Sequence, residues 1–110
     1  MNNVKLPEII NQFVEYTNAR SSKDFINLFT ENAVLNDWGR IFKGRYSISE
    51  WNKNENIGKK SQFEILGNRK TSSNSWLVQI KVTGDGFNGT GPMEFTIVGN
   101  LISSIKILPD

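Results

Sequence analysis

The chain has 110 residues, a net charge of +2, 37% hydrophobic residues, no cysteine and no histidine. That length suits one domain, residues 1–110, around one core. Without cysteine or histidine there are no disulfides, no thiolate chemistry, no imidazole acid–base and no imidazole ligand, so neither a metal nor a cofactor is expected. Lysines and arginines are scattered, and Lys59-Lys60 and Arg69-Lys70 are too short to make a nucleic-acid patch. No apolar run approaches the roughly 20 residues that span a membrane. Met1-Asn2-Asn3-Val4-Lys5 carries no signal-peptide pattern, so the cytoplasm is the expected location.

Leu6, Ile9, Ile10, Phe13, Tyr16 and Thr17 recur at helical spacing behind Pro7, which predicts a helix over residues 7–19. Ser21 with Asp24 three residues on looks like a helix start, and Phe25, Ile26, Leu28 and Phe29 make a short second helix. Ala33 to Trp38 is a strand, Gly39 a tight turn, and Ile41-Phe42 a return strand. Ser47-x-x-Glu50 reads as a capping box opening a third helix through Trp51, and the polar run Asn52 to Asn56 should fray on the surface.

After Gly58 the period changes to two. Phe63 and Ile65 begin one strand, and Thr71 to Asn74 form a turn. Trp76, Val78, Ile80 and Val82 are the apolar face of the next strand, with Trp76 in the core. Gly84 to Pro92 is a loose connection; Met93, Phe95 and Ile97 alternate; Gly99-Asn100 is a hairpin turn; and Leu101 to Leu108 is the last strand. Gly84-x-Gly86-x-x-Gly89 fits the dinucleotide pattern, but that pattern needs a helix next, and here Pro92 and a strand follow. Helices followed by long antiparallel strands argue an α+β fold, with three helices on one face of a bent sheet and an open mouth.

Asp37 is the candidate site residue. Ala33, Leu35 and Asp37 share one strand face, so a carboxylate ends an apolar line, where it must be paired, protonated or wet. Three readings are open: a general base, an acceptor for a ligand, or a cap on the Gly39 turn. Arg40, Lys43 and Arg45 surround the turn either as solvated charge or as an ion-pair partner for Asp37. Trp38 and Trp51 flank the hairpin and are candidate wall residues of a pocket.

Phe13-Val14-x-x-x-Asn18-Ala19, Leu28-Phe29-Thr30-Glu31-Asn32-Ala33-Val34, Asp37-x-Gly39, Gly44-x-x-x-Ile48-x-x-Trp51 and Gly99-Asn100-Leu101-Ile102-x-x-Ile105 together resemble the nuclear transport factor 2-like superfamily, closest to its SnoaL-like and ketosteroid isomerase-like branch. The resemblance covers nearly the whole chain. It implies a cone-shaped α+β barrel that pairs as a homodimer through its sheet, and it puts Asp37 where ketosteroid isomerases carry their general base. The two oxyanion donors of those enzymes have no counterpart, because Phe13 and Met93 stand at their positions. Losing one such donor typically lowers a rate by about 10²–10³. Tyr16, one turn after Phe13, and the Trp51 N–H are the candidate replacements.

Three functions follow. The first is a binder of a small apolar or carbonyl-bearing ligand, with Phe13, Leu35, Trp51, Met93 and Phe95 lining an apolar cavity and Asp37 fixing orientation. The second is an isomerase, cyclase or hydrolase-type enzyme with Asp37 as base. The third is a non-catalytic association module using the sheet face and Phe87.

Overall fold

The computed structural model describes residues 5–109; Met1–Val4, read above for a targeting pattern, and Asp110 lie outside them. Helix α1 spans Glu8–Asn18 with Pro7 immediately before it, and buries Ile9, Ile10, Phe13 and Thr17. Helix α2 is only Ser22–Ile26. Phe29, expected in that helix, instead opens strand β1, Phe29–Asp37. Ser21 precedes α2, but its hydroxyl donates to the Asp24 carboxylate at 2.7 Å and caps no backbone N–H.

Strand β2, Arg40–Lys43, leads straight into helix α3, Gly44–Glu55. The expected capping box does not form, because the helix has already begun when the chain reaches Ser47. Gly44, at φ +82°, makes the sharp reversal out of β2 that a side-chain-bearing residue would resist. The far end of α3 also departs from expectation. Asn52 and Asn56 are buried, one helical turn apart, and hydrogen-bonded to each other at 3.0 Å. That pairing lets polar side chains enter the interior and holds the helix through Glu55. No described helix is long and apolar enough to cross a membrane.

The remaining strands are β3 (Gln62–Ser72), β4 (Ser75–Thr83), β5 (Gly89–Val98) and β6 (Leu101–Ile107). They form one sheet in the order β2-β1-β6-β5-β4-β3. Every neighbouring pair is antiparallel except β1 and β6, which run parallel with Leu35 opposite Ile105. Gly89 to Pro92, read as loop, belong to β5 and pair with β4. The true loop is residues 84–88, closed by Asn88, whose amide donates to the Gly84 and Gly86 carbonyls at 2.9 and 3.1 Å. Bulges in β3 and β5 bend the sheet over the helices into the expected α+β cone. Trp76 lies at the edge of the core, half-buried, with the Lys70 ammonium 5.2 Å from its ring centroid.

Phe13 is the hub of the core. Its ring centroid lies 5.3 Å from that of Phe25, 6.5 Å from Phe29, 5.7 Å from Phe63 and 5.1 Å from Phe95. One residue on α1 thus joins α2, β1, β3 and β5. The end of α1 is tied to β3 separately. The Asn18 amide donates to the Phe63 carbonyl at 2.9 Å and accepts the Phe63 N–H at 2.7 Å, as a neighbouring strand would. Phe13→Ala should destabilise the protein by about 3–5 kcal/mol, read as a lower urea midpoint at unchanged slope. A loss below about 1 kcal/mol would show that the ring cluster is not the centre of the core.

Candidate functional site

The site begins with a two-residue turn. Trp38 and Gly39 both have positive φ, +54° and +93°, the geometry of a tight hairpin turn whose twist suits the flanking strands. That turn puts Asp37 directly opposite Arg40 in the β1–β2 register. The cap on the turn is Asn36, whose side-chain oxygen accepts the Gly39 N–H at 2.7 Å. Asp37 is therefore not needed as the turn cap.

Asp37 Oδ2 accepts two hydrogen bonds, from Arg40 Nη2 at 2.6 Å and from the Trp51 indole N–H at 3.0 Å. Arg40 also donates to both oxygens of Glu55, each at 2.7 Å. Trp51 and Glu55 are one turn apart on α3, on a common face. A strand pair, Asp37 and Arg40, is thus bolted to a helix pair, Trp51 and Glu55. Asp37 Oδ1 accepts no hydrogen bond from the described residues. Arg45, the other arginine near the turn, is occupied elsewhere, donating through Nε and Nη2 to the Phe29 carbonyl at 2.9 and 2.7 Å. The Arg40 hydrogen bonds hold the Glu55 carboxyl below the ordinary glutamate range, and Glu55 in turn raises Arg40 above its ordinary value.

Beside this cluster is a cavity of about 710 Å³, within the ~300–1,000 Å³ usual for small-molecule sites. Its apolar wall includes Trp51, Phe63, Ile80, Val82, Met93 and Ile107, and Asp37 is on the wall with them. Trp38 and Phe87 stand at the outer end, 57% and 54% exposed, their ring centroids 6.4 Å apart edge to face. Phe87, read as an association residue, here packs on Trp38 of its own chain.

Of the residues expected around the pocket, Asp37, Trp38, Trp51 and Met93 line it together. Phe13, Leu35 and Phe95 do not; each is fully buried in the core behind the wall, Phe13 and Phe95 against each other. Tyr16 is half-buried at the edge of the core. Thr17, four residues after Phe13, takes the inward place on α1 instead. The Trp51 N–H, a candidate ligand donor, is spent on Asp37. Residues the sequence reading did not single out are Glu55, Asn56, Lys59, Ser61 and Thr90, all on the wall. The available signal is spacing: Glu55 follows Trp51, and Asn56 follows Asn52, by one helical turn.

Because the folded-state pKa of Glu55 is depressed, its ion pair adds stability above the unfolded value and loses it as pH falls through the folded value. Glu55 is 36% exposed, so solvent screening keeps the contribution to about 0.5 kcal/mol. Glu55→Gln should lower stability by that amount at neutral pH and match the unmodified protein in acid, below the depressed folded-state pKa. Urea titrations at the two pH values measure this; a gap that persists undiminished in acid would exclude the charge as its cause.

No protein-family model matches the sequence, and no curated protein matches it. Solved structures do. A candidate polyketide cyclase from Sinorhizobium meliloti is 25% identical, with a TM-score of 0.80 over 93% of this chain and 94% of that one. A candidate ketosteroid isomerase from Kribbella flavida is 16% identical, with a TM-score of 0.79 over 94% and 77%. A nuclear transport factor 2-like protein of unknown function from Cytophaga hutchinsonii is 12% identical, with a TM-score of 0.81 over 100% and 95%. With the helix-lined cone and its closing hairpin, these likenesses show that the chain has the fold shared by nuclear transport factor 2-like, SnoaL-like and ketosteroid isomerase-like proteins.

Proposed function

We propose that this protein binds a small, largely apolar molecule in its cavity, oriented by a hydrogen bond from the ligand to Asp37 Oδ1. The observation that carries this reading is the state of that carboxylate. It stands on an apolar wall, its charge is matched by Arg40 through Oδ2, and Oδ1 accepts nothing from the described residues. A carboxylate oxygen is an acceptor, so the ligand group that meets it is a donor such as a hydroxyl. A carbonyl meets no donor there, because the Trp51 N–H and the facing Arg40 N–H already serve Asp37. Trp38, Trp51 and Met93 supply contact surface, while Phe13, Leu35 and Phe95 hold the shape of the wall from behind. The homodimer implied by the family resemblance is part of this reading, and sedimentation at high concentration measures it.

The same unpaired oxygen favours a second reading, in which Asp37 takes a proton next to a carbonyl. The names of the structural neighbours, a polyketide cyclase and a ketosteroid isomerase among them, lean that way. What that reading lacks is a donor for the developing oxyanion, since neither Phe13 nor Met93 carries one.

A panel of apolar alcohols, phenols and ketones tests both. A ligand held at 100 times its Kd should add about 2.7 kcal/mol to unfolding stability. Asp37→Asn should weaken the alcohols and phenols by about tenfold or more, as expected for a lost hydrogen bond to a charged group. If no compound raises the unfolding midpoint, or if Asp37→Asn binds all of them equally well, the binding reading is wrong. Turnover of a panel ketone that disappears in Asp37→Asn would favour the enzyme instead.

A further inference from the structure

The inner end of the cavity holds polar groups that the Asp37 cluster does not use. Asn56 is 1% exposed and Ser61 is 3% exposed, and both are on the cavity wall. The chain between them is wound tightly about one carbonyl. The Lys59 and Ser61 backbone N–H groups donate to Asn56 O at 3.0 and 3.1 Å, which brings the backbones of Asn56 and Ser61 together. One end of the Asn56 amide is committed, through Nδ2, to Thr17 Oγ1 at 3.3 Å and to Asn52 Oδ1 at 3.0 Å. The other end, Oδ1, accepts nothing from the described residues, and the Ser61 hydroxyl has no partner among them either. Neither atom is sealed away without a partner, since no fully enclosed side-chain oxygen or nitrogen among the described residues is unsatisfied. With both residues on the cavity wall, the cavity is where a partner for either atom would stand.

Resting on the binding reading above, we propose that Asn56 and Ser61 form a second polar anchor that takes a hydroxyl group of the ligand. The bound molecule is then an apolar skeleton with two hydroxyls, one on Asp37 and one on Asn56 and Ser61. A hydroxyl is the group that fits, because it donates and accepts at once and so satisfies whichever end of the amide faces the cavity, together with Ser61. A ketone or ether oxygen only accepts, and leaves Asn56 Oδ1 unmatched. The spacing suits a compact ligand. Trp51, which holds Asp37, and Asn56 are five residues apart at the end of α3, about 7.5 Å along the helix axis.

The test compares naphthalene-2,6-diol with 2-naphthol, and 4,4′-dihydroxybiphenyl with 4-phenylphenol, by calorimetry on the full chain. In the unmodified protein at least one diol should bind about 5–10 times more tightly than its mono-ol, beyond the factor of about two that symmetry supplies. In Ser61→Ala that ratio should fall by about half or more, because only Asn56 is left to hold the second hydroxyl. The ratio is insensitive to any general loss of stability, and the Ser61 hydroxyl serves no described residue, so the variant should fold. Mono-ols that bind while the second hydroxyl adds nothing would overturn the second anchor and leave the Asp37 reading standing. A diol advantage that survives Ser61→Ala undiminished would also overturn the anchor. No binding by any member of the panel would overturn both.

Discussion

The bolt between a strand pair and a helix pair determines what this cone can do. Asp37 and Arg40 face each other because the Trp38-Gly39 turn has two residues and its register allows nothing else. Trp51 and Glu55 share a helix face because they are one turn apart. Arg40 then satisfies an acid on each side, and the Trp51 N–H reaches the same Asp37 oxygen. Neither pair alone would fix a carboxylate on an apolar wall. A lone hairpin ion pair, with Arg40 55% exposed, is worth a few tenths of a kcal/mol at most. Its importance is positional: it occupies Asp37 Oδ2 and leaves Oδ1 without a partner among the described residues.

The consequence is a cavity with a neutral but polarised end. Two acids and one arginine, with Lys59 nearby on the wall, leave no net charge to attract an ion. What remains is a set of directed hydrogen-bonding positions on an apolar surface, the pattern of small-molecule sites in general. Such sites discriminate mainly against ligands that leave a buried polar group unmatched, because an unmet donor or acceptor costs more than a good hydrogen bond contributes. Selectivity here should therefore follow hydroxyl placement rather than charge.

Much of this frame is legible in the sequence, for local reasons. Alternation from Ala33 puts Leu35 and Asp37 on one face, and Gly39 marks the turn. Gly99-Asn100 marks the last hairpin, both residues taking positive φ. The parts that are not legible depend on partners far along the chain. Asn52 to Asn56 reads as a fraying surface run because the local Asn52–Asn56 bond only partly satisfies the buried amides, and a contact from elsewhere in the chain completes them. The partner that does so, Thr17, is 39 residues away on α1. Spacing puts Phe13 on the inward face of α1 correctly, but cannot say whether inward means core or cavity. Four phenylalanines converging from three strands and α2 decide that it means core.

This last point bears on how the chain differs from the catalytic pattern it resembles. A ring at position 13 recruits α1 into the aromatic core and takes that helix out of the cavity's chemistry. Polar groups on the cavity wall come from the far end of α3 and the tight turn after it, where Glu55, Asn56 and Ser61 sit. The acid stays on β1 while the groups around it are drawn from a different part of the cone. A phenol at this buried hub would need a partner that the four phenylalanine rings around it cannot offer, so an apolar ring suits the position. The aromatic core and the absence of a donor on α1 are thus one fact seen from two sides. The same packing that stabilises the cone keeps α1 off the cavity wall.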